Sequence, residues 1–161
     1  IEACRASGVE RVLHVSALGA GKGESHYQRT KGEAERHLAD SGLATTVFRP
    51  SVVFGRGDSF FTRFAALLRL APVLPLACPG SRLQPVWAQD VGAAMVASLE
   101  RPDAVGAVWE LGGPEVYTLK ELVQWTARTM GKKRWIIGLP RPLSAAMAAV
   151  MSTGRNLVVA D

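Results

Sequence analysis

The sequence predicts an α/β fold built on a parallel sheet. Two short β-branched runs, 9–16 (VERVLHVS) and 44–49 (ATTVFR), read as strands buried on both faces. A helical pattern lies between them, and a strand–helix–strand order over so short a span implies a right-handed crossover. Beyond them, helices with apolar stripes alternate with further short strand candidates.

Taken in order, residues 1–7 read as the end of a helix that Gly8 stops. Strand 9–16 follows, then a loop over 17–25 holding Gly19, Gly21 and Gly23. In the helix over 26–41, Tyr27, Lys31, Ala34 and Leu38 recur at helical spacing and share one face. Glu33, Glu35, Arg36 and Asp40 fall mostly on other faces. Gly32 sits inside this helix at a cost of about 1 kcal/mol against Ala, which permits close packing or is simply tolerated. Gly42 ends the helix before strand 44–49.

Residues 50–58 read as a long turn with Gly55 and Gly57. The helix over 59–71 carries a stripe of Phe60/Phe61, Phe64 and Leu67/Leu68, and Pro72, Pro75 and Pro79 then break regular structure. A short strand is expected over 83–87. A helix over 89–101 has Val91, Met95 and Leu99 on one face, and a strand follows over 107–111. The helix over 118–130 is the best signalled: Thr118 followed by Glu121 is a capping box, and Gly131 closes it. A small strand is expected over 134–137 and a last helix over 142–152.

Composition narrows the function. At 48% hydrophobic, 20% charged and a mean hydropathy of +0.11, the 161 residues suit a globular protein. The net charge is +5, and the positive residues are spread along the chain. The one basic run, Lys132-Lys133-Arg134, follows a helix end, where cations favour the helix dipole. No aromatic residues interleave with a basic stripe, so nucleic acid is not an expected partner. Cys4 and Cys78 suggest a reducing compartment rather than a disulfide framework. They share no metal-ligand spacing with His14, His26 or His37, so no metal is expected. No signal-peptide pattern and no run of the ~20 apolar residues needed to cross a bilayer is present, which predicts a cytoplasmic protein.

Chemistry concentrates in Ser16, Tyr27 and Lys31. A helix brings side chains at i and i+4 to about 5–6 Å, and an ammonium beside a phenol favours the phenolate. Such a Tyr can exchange a proton with a hydroxyl or carbonyl. Ser16, at the carboxyl end of its strand and eleven residues before Tyr27, can orient the same oxygen. The pattern also fits a surface Tyr–Lys pair with a Ser that ends a strand.

With these residues assembled, the chain resembles the extended or atypical short-chain dehydrogenase/reductase superfamily, the NAD(P)-dependent epimerase/dehydratase family. Five stretches match in the family's order over roughly residues 8–140. Gly8-Val9-Glu10-Arg11-Val12 with His14-Val15-Ser16 is similar to its fifth Rossmann strand. Tyr27-x-x-x-Lys31 with Glu33 and Glu35 is similar to its catalytic helix. Phe48-Arg49-Pro50-Ser51-Val52-Val53-Phe54-Gly55 is similar to the sixth strand and its turn. Gln84-Pro85-Val86-Trp87 with Asp90-Val91 is similar to a later strand and helix, and Leu111-Gly112-Gly113-Pro114 before Tyr117-Thr118 to the join with the small domain. The chain looks most similar to the branch holding the NAD(P)H-binding accessory subunit of respiratory complex I.

The resemblance implies an α/β fold with the C-terminal half of a Rossmann-type parallel sheet and a small α/β substrate domain. On that basis 1–58 belongs to the dinucleotide-binding part and 59–161 to the smaller domain, with 83–111 contributing back to the Rossmann part. It implies NAD or NADP as cofactor, Tyr27 as general acid/base and Lys31 tuning it while holding the nicotinamide ribose. Ser16 would bond the substrate oxygen, and the backbone of Pro50, Ser51, Val52 and Val53 would face the nicotinamide. Arg56 either meets an anionic group of the substrate or is a solvated loop cation. Asp90 would fix a helix start.

The glycine-rich turn that lets backbone amides approach a pyrophosphate is not found. Starting G-x-G-x-x-G at Gly19, Gly21 or Gly55 puts Glu24, His26 or Phe60 at the last position. The chain therefore reads as the second half of such a protein. Three functions remain open: a hydride-transferring oxidoreductase or epimerase, a non-catalytic NAD(P)H-binding accessory subunit, and a segment that binds no nucleotide. The apolar content of 56–90 and 112–160 favours a small hydrophobic substrate such as a quinone or lipid-like molecule. The resemblance implies association with a respiratory complex, peripheral to the inner membrane, or self-association.

Overall fold

The computed structural model describes residues 1–23, 25–140 and 142–143. In chain order the elements begin with α1 (Glu2–Ala6), β1 (Arg11–Val15), α2 (His26–Ala39), β2 (Ala44–Pro50) and β3 (Val53–Phe54). Next come α3 (Phe60–Leu70), β4 (Val73–Leu76), β5 (Arg82–Leu83), β6 (Val86–Trp87) and α4 (Ala88–Leu99). A 3-10 turn (Pro102–Ala104), β7 (Val108–Leu111), β8 (Tyr117–Thr118), α5 (Leu119–Thr129) and β9 (Trp135–Gly138) follow. The chain divides into two compact units. The first comprises Ile1–Gly55 and Gln84–Glu115, and the second Arg56–Leu83 and Val116–Asp161.

In the first unit, β1, β2 and β7 form a parallel sheet with β2 in the middle. The register pairs His14 with Val47, Val15 with Phe48, Phe48 with Trp109 and Arg49 with Glu110. Thr45, Thr46, Val47 and Phe48 are buried because β2 has a neighbour on each side. The apolar run of β1 predicts burial on both faces. The strand is only half-buried, and Val15 is 41% exposed, because among the described residues it is paired along one edge only. On one sheet face, Phe48 meets Trp109 edge to face at 5.6 Å, and Thr46 Oγ1 donates to the Ala104 carbonyl. The Arg11 guanidinium donates to Thr46 Oγ1 at 2.7 Å and to the Ser98 carbonyl of α4.

Helix α4 departs from its expected stripe. Val91 and Ser98 are buried and Leu99 is 56% exposed. The Ser98 side chain, which donates to the Met95 carbonyl, is buried instead. Parallel β3 and β6 extend the unit beyond β2. The segment after β7 comes close to the residue before β6: a Cβ at Gly113 would lie 1.9 Å from the Pro85 carbonyl oxygen.

The second unit has its own core of Leu68, Leu74, Leu76, Val123 and Ala127, with Phe64, Leu119, Met130 and Ile136 packed against it. Helix α5 has the expected capping box: Thr118 Oγ1 accepts from Glu121 N, and the Glu121 carboxylate accepts from Thr118 N. The proline-rich stretch after α3 does not break regular structure throughout. Residues 73–76 form β4, parallel to β9. The Pro72 and Leu76 carbonyls accept from Trp135 N and Leu139 N, so alternation turns the backbone of Pro75 away from β9. Its missing N–H therefore costs the ladder nothing. The expected strand over 83–87 divides at Gln84-Pro85 into β5, antiparallel to β8, and β6. Pro142 and Leu143 are helical. The rest of the helix expected over 142–152 lies outside the described residues.

Candidate functional site

Helix α2 sets the site. Ser25 caps it, with Oγ accepting from Gln28 N at 3.2 Å. Gly32 lies against Gly21 of the preceding loop. A Cβ at Gly32 would stand 2.5 Å from Gly21 Cα and 2.7 Å from Gly21 N, so glycine is required by close approach rather than merely tolerated. Gly21 N in turn donates to the Gln28 carbonyl at 2.9 Å. Loop and helix are thus locked together just where Tyr27 and Lys31 are presented.

Lys31 Nζ donates to the Val15 carbonyl at 3.1 Å and stands 5.9 Å from the centroid of the Tyr27 ring. The contact ties the first turns of α2 to the carboxyl end of β1, the edge at which open α/β sheets bind ligands. Tyr27 is 59% exposed there. The structure thus brings the expected Tyr and Lys together at the expected edge. An ammonium has three donors, so Lys31 keeps two beyond the Val15 bond.

Ser16 lies at the same strand end, its N donating to the Phe48 carbonyl at 2.7 Å, and its side chain is buried. Its hydroxyl makes no hydrogen bond of ordinary geometry to a described residue, Tyr27 included. It does lie near enough to the Glu35 carboxylate to help hold it ionised. His14 Nε2 is likewise buried without a partner.

The backbone from Pro50 to Val53 is largely engaged by the fold. The Pro50 carbonyl accepts from Leu18 N, Ser51 N donates to the Leu111 carbonyl and the Val52 carbonyl accepts from Val86 N. Ser51 Oγ accepts from Gln84 N at 3.3 Å, and Val53 pairs with Val86. Arg56 is exposed at the start of the second unit. Asp90 is exposed in the first turn of α4, where a negative charge favours the helix dipole. Among the described residues no cluster of three or more His, Cys, Asp or Glu could hold a metal ion. No helix among them is long and apolar enough to cross a membrane.

Sequence reasoning misses one group. The Arg49 guanidinium grips the Glu35 carboxylate in a two-point ion pair at 3.0 and 2.5 Å and approaches Glu110 at 3.7 Å. This links α2, β2 and β7, and the side chains of Arg49 and Glu35 are only 19% and 11% exposed. The stripe that runs through Ala34 and Leu38 leaves Glu35 aside. Yet Glu35 follows Lys31 by four residues, as Lys31 follows Tyr27, and a lone Arg inside a β-branched run is the other half of the signal. The bond from Arg49 holds the Glu35 carboxyl below the ordinary value, against the opposing effect of burial. Burial first, and then the Lys31 charge, push the His14 imidazole down, while Glu35 opposes both.

No family model matches the chain. Curated relatives do. The mitochondrial NADH dehydrogenase [ubiquinone] 1 alpha subcomplex subunit 9 of Arabidopsis thaliana is 33% identical over 145 residues, 88% of this chain and 36% of that protein. Its counterpart in Mus musculus is 36% identical over 127 residues, 77% of this chain and 33% of that protein. The ceramide reductase of Caulobacter vibrioides is 32% identical over 159 residues, 97% of this chain and 49% of that protein. The chain thus spans about a third to a half of the length of these relatives. Among solved structures, the UDP-glucose 4-epimerase of Thermus thermophilus, in complex with NAD, is 25% identical. It superposes with a TM-score of 0.67, covering 88% of this chain and 55% of that one. The dTDP-glucose 4,6-dehydratase of Bacillus anthracis, 19% identical with a TM-score of 0.70 over 86% of this chain and 53% of that one, shares the fold. The parallel sheet with its Tyr–Lys helix and the relatives lead to one conclusion: the chain belongs to the extended short-chain dehydrogenase/reductase, or NAD-dependent epimerase/dehydratase, family.

Proposed function

We propose that this chain supplies the acid/base residues of an NAD(P)-dependent oxidoreductase acting at a hydroxyl or carbonyl carbon. One observation carries the reading: Lys31 is bonded to the carboxyl end of β1 and stands over the ring of an exposed Tyr27. The two spare ammonium donors fit ribose hydroxyls, so the residues present suit the nicotinamide end of NAD or NADP. When bound, the reduced nicotinamide supplies the hydride. Tyr27 delivers its proton to the substrate oxygen as the carbonyl becomes an alcohol, with Lys31 beside its ring. Ser16 would orient the same oxygen, which requires its buried hydroxyl to turn from the Glu35 side. The backbone of Pro50 to Val53 would face the nicotinamide, and Arg56 remains a candidate for an anionic substrate group. The Caulobacter relative, which aligns with 97% of this chain and is named for reducing a ceramide, supports a hydrophobic carbonyl substrate.

The second reading is a non-catalytic NAD(P)H-binding subunit of a respiratory complex, peripheral to the inner membrane. The matches to complex I subunits of plant and animal mitochondria favour it. Turnover separates the two. In the protein at its natural length, Tyr27→Phe should lower NAD(P)H-dependent reduction about 100-fold or more while leaving the Tm unchanged. Wild-type protein that binds reduced nicotinamide yet reduces no carbonyl substrate, with Tyr27→Phe indistinguishable from it, would leave the second reading.

A further inference from the structure

The two units differ sharply in charge. The first holds eight Lys and Arg against eleven Asp and Glu, a net −3. The second holds eleven against three, a net +8. No acidic residue occurs between Asp58 and Asp90, or between Glu121 and Asp161. Among the described residues of the second unit no ion pair forms.

The same unit exposes an apolar face. The parallel register sets Val73 beside Trp135 and Pro75 beside Ile137, on the side of the ribbon opposite buried Leu74 and Leu76. Trp135 is 76% exposed, Ile137 54% and Val73 42%. Leu70, which ends the helix leading into β4, is 84% exposed. Arg69 precedes it, and Lys132, Lys133 and Arg134 lead directly into β9. Arg134 is held in place by donating from Nε to the Leu68 carbonyl at 2.7 Å.

An exposed Trp beside aliphatic side chains, rimmed by cations with no anion near in sequence, matches one environment. The ring and aliphatics enter the headgroup–acyl boundary, and the ammonium groups meet lipid phosphates. We infer that the β4–β9 ribbon and its basic rim dock the protein on an anionic lipid surface. The inference deepens the peripheral-membrane placement above and holds whether or not Tyr27 turns over a substrate.

The test is co-sedimentation of the protein at its natural length with phosphatidylcholine vesicles, with and without phosphatidylglycerol. The wild type should partition onto the anionic vesicles only and be released by high salt. Trp135→Ala should weaken partitioning about tenfold. Lys132→Gln combined with Lys133→Gln should weaken it about 30-fold, the equivalent of about 1 kcal/mol per cation. All these variants should keep the wild-type Tm and wild-type nicotinamide affinity, which separates failure here from failure of the oxidoreductase reading. Absence of binding to anionic vesicles, variants that bind as the wild type does, or binding equal on both vesicle types would overturn the inference. So would an oligonucleotide that binds the same face and displaces the vesicles.

Discussion

The first unit spends its charges on itself, and the second turns them outward. In the first, Arg49 ties Glu35 and Glu110 across helix and sheet, Arg11 bridges β1, β2 and α4, and Lys31 holds α2 to β1. In the second, the described cations form no ion pair, and only Arg134 reaches a carbonyl of another element. Charge in the first unit positions a site. In the second it leaves a surface to be met, and stability rests on the apolar core around Leu68 and Val123.

Substitutions that touch this contrast should differ in size. Glu35→Ala strips a mostly buried arginine of its two-point partner. It should cost about 3 kcal/mol in chemical denaturation of the first unit, since an uncompensated charge is left behind. A cost near zero would mean that Glu110 alone satisfies Arg49. Gly32→Ala follows at about 2 kcal/mol, because the new methyl would overlap the Gly21 backbone and neither side is a flexible side-chain tip. A stabilised variant would show that the loop moves freely and that the Gly21–Gly32 contact does not position α2.

Acid should act on the first unit in two stages. His14 is depressed when folded, so its contribution is full above the ordinary histidine value of 6.5 and declines as pH falls below it. Glu35 is also depressed, so its contribution is full above 4.5 and is lost as pH falls further. Denaturation midpoints across this range should show both declines. His14→Gln should remove the upper one and Glu35→Gln the lower. The smallest effect belongs to the second unit: Lys132→Gln with Lys133→Gln should change stability by less than about 0.5 kcal/mol, since no internal partner is lost. A larger loss would mean that these cations are structural after all.

Much of this is legible in the sequence. β-Branched runs, helical spacing and glycine boundaries mark β1, α2 and β2, and Thr118 with Glu121 marks the start of α5. The Tyr27–Lys31 pairing follows from helical spacing alone. What escapes depends on partners distant in the chain. The exposure of β1 reflects its pairing along one edge only among the described residues. The strand at 73–76 depends on β9, some sixty residues later, to accept a proline on its unpaired side. The Glu35–Arg49 pair joins two elements, and its members look like a helix-surface charge and a strand residue until the register sets them face to face.

The central claim is that Lys31, tied to the end of β1, serves a bound nicotinamide beside Tyr27. Titration of reduced nicotinamide fluorescence against the protein at its natural length tests it most directly. Lys31→Met should weaken binding at least about tenfold, the loss of one charge-assisted contact of about 1.5 kcal/mol or more, while Tyr27→Phe retains it. A Lys31→Met variant that binds reduced nicotinamide as tightly as the wild type would contradict the account.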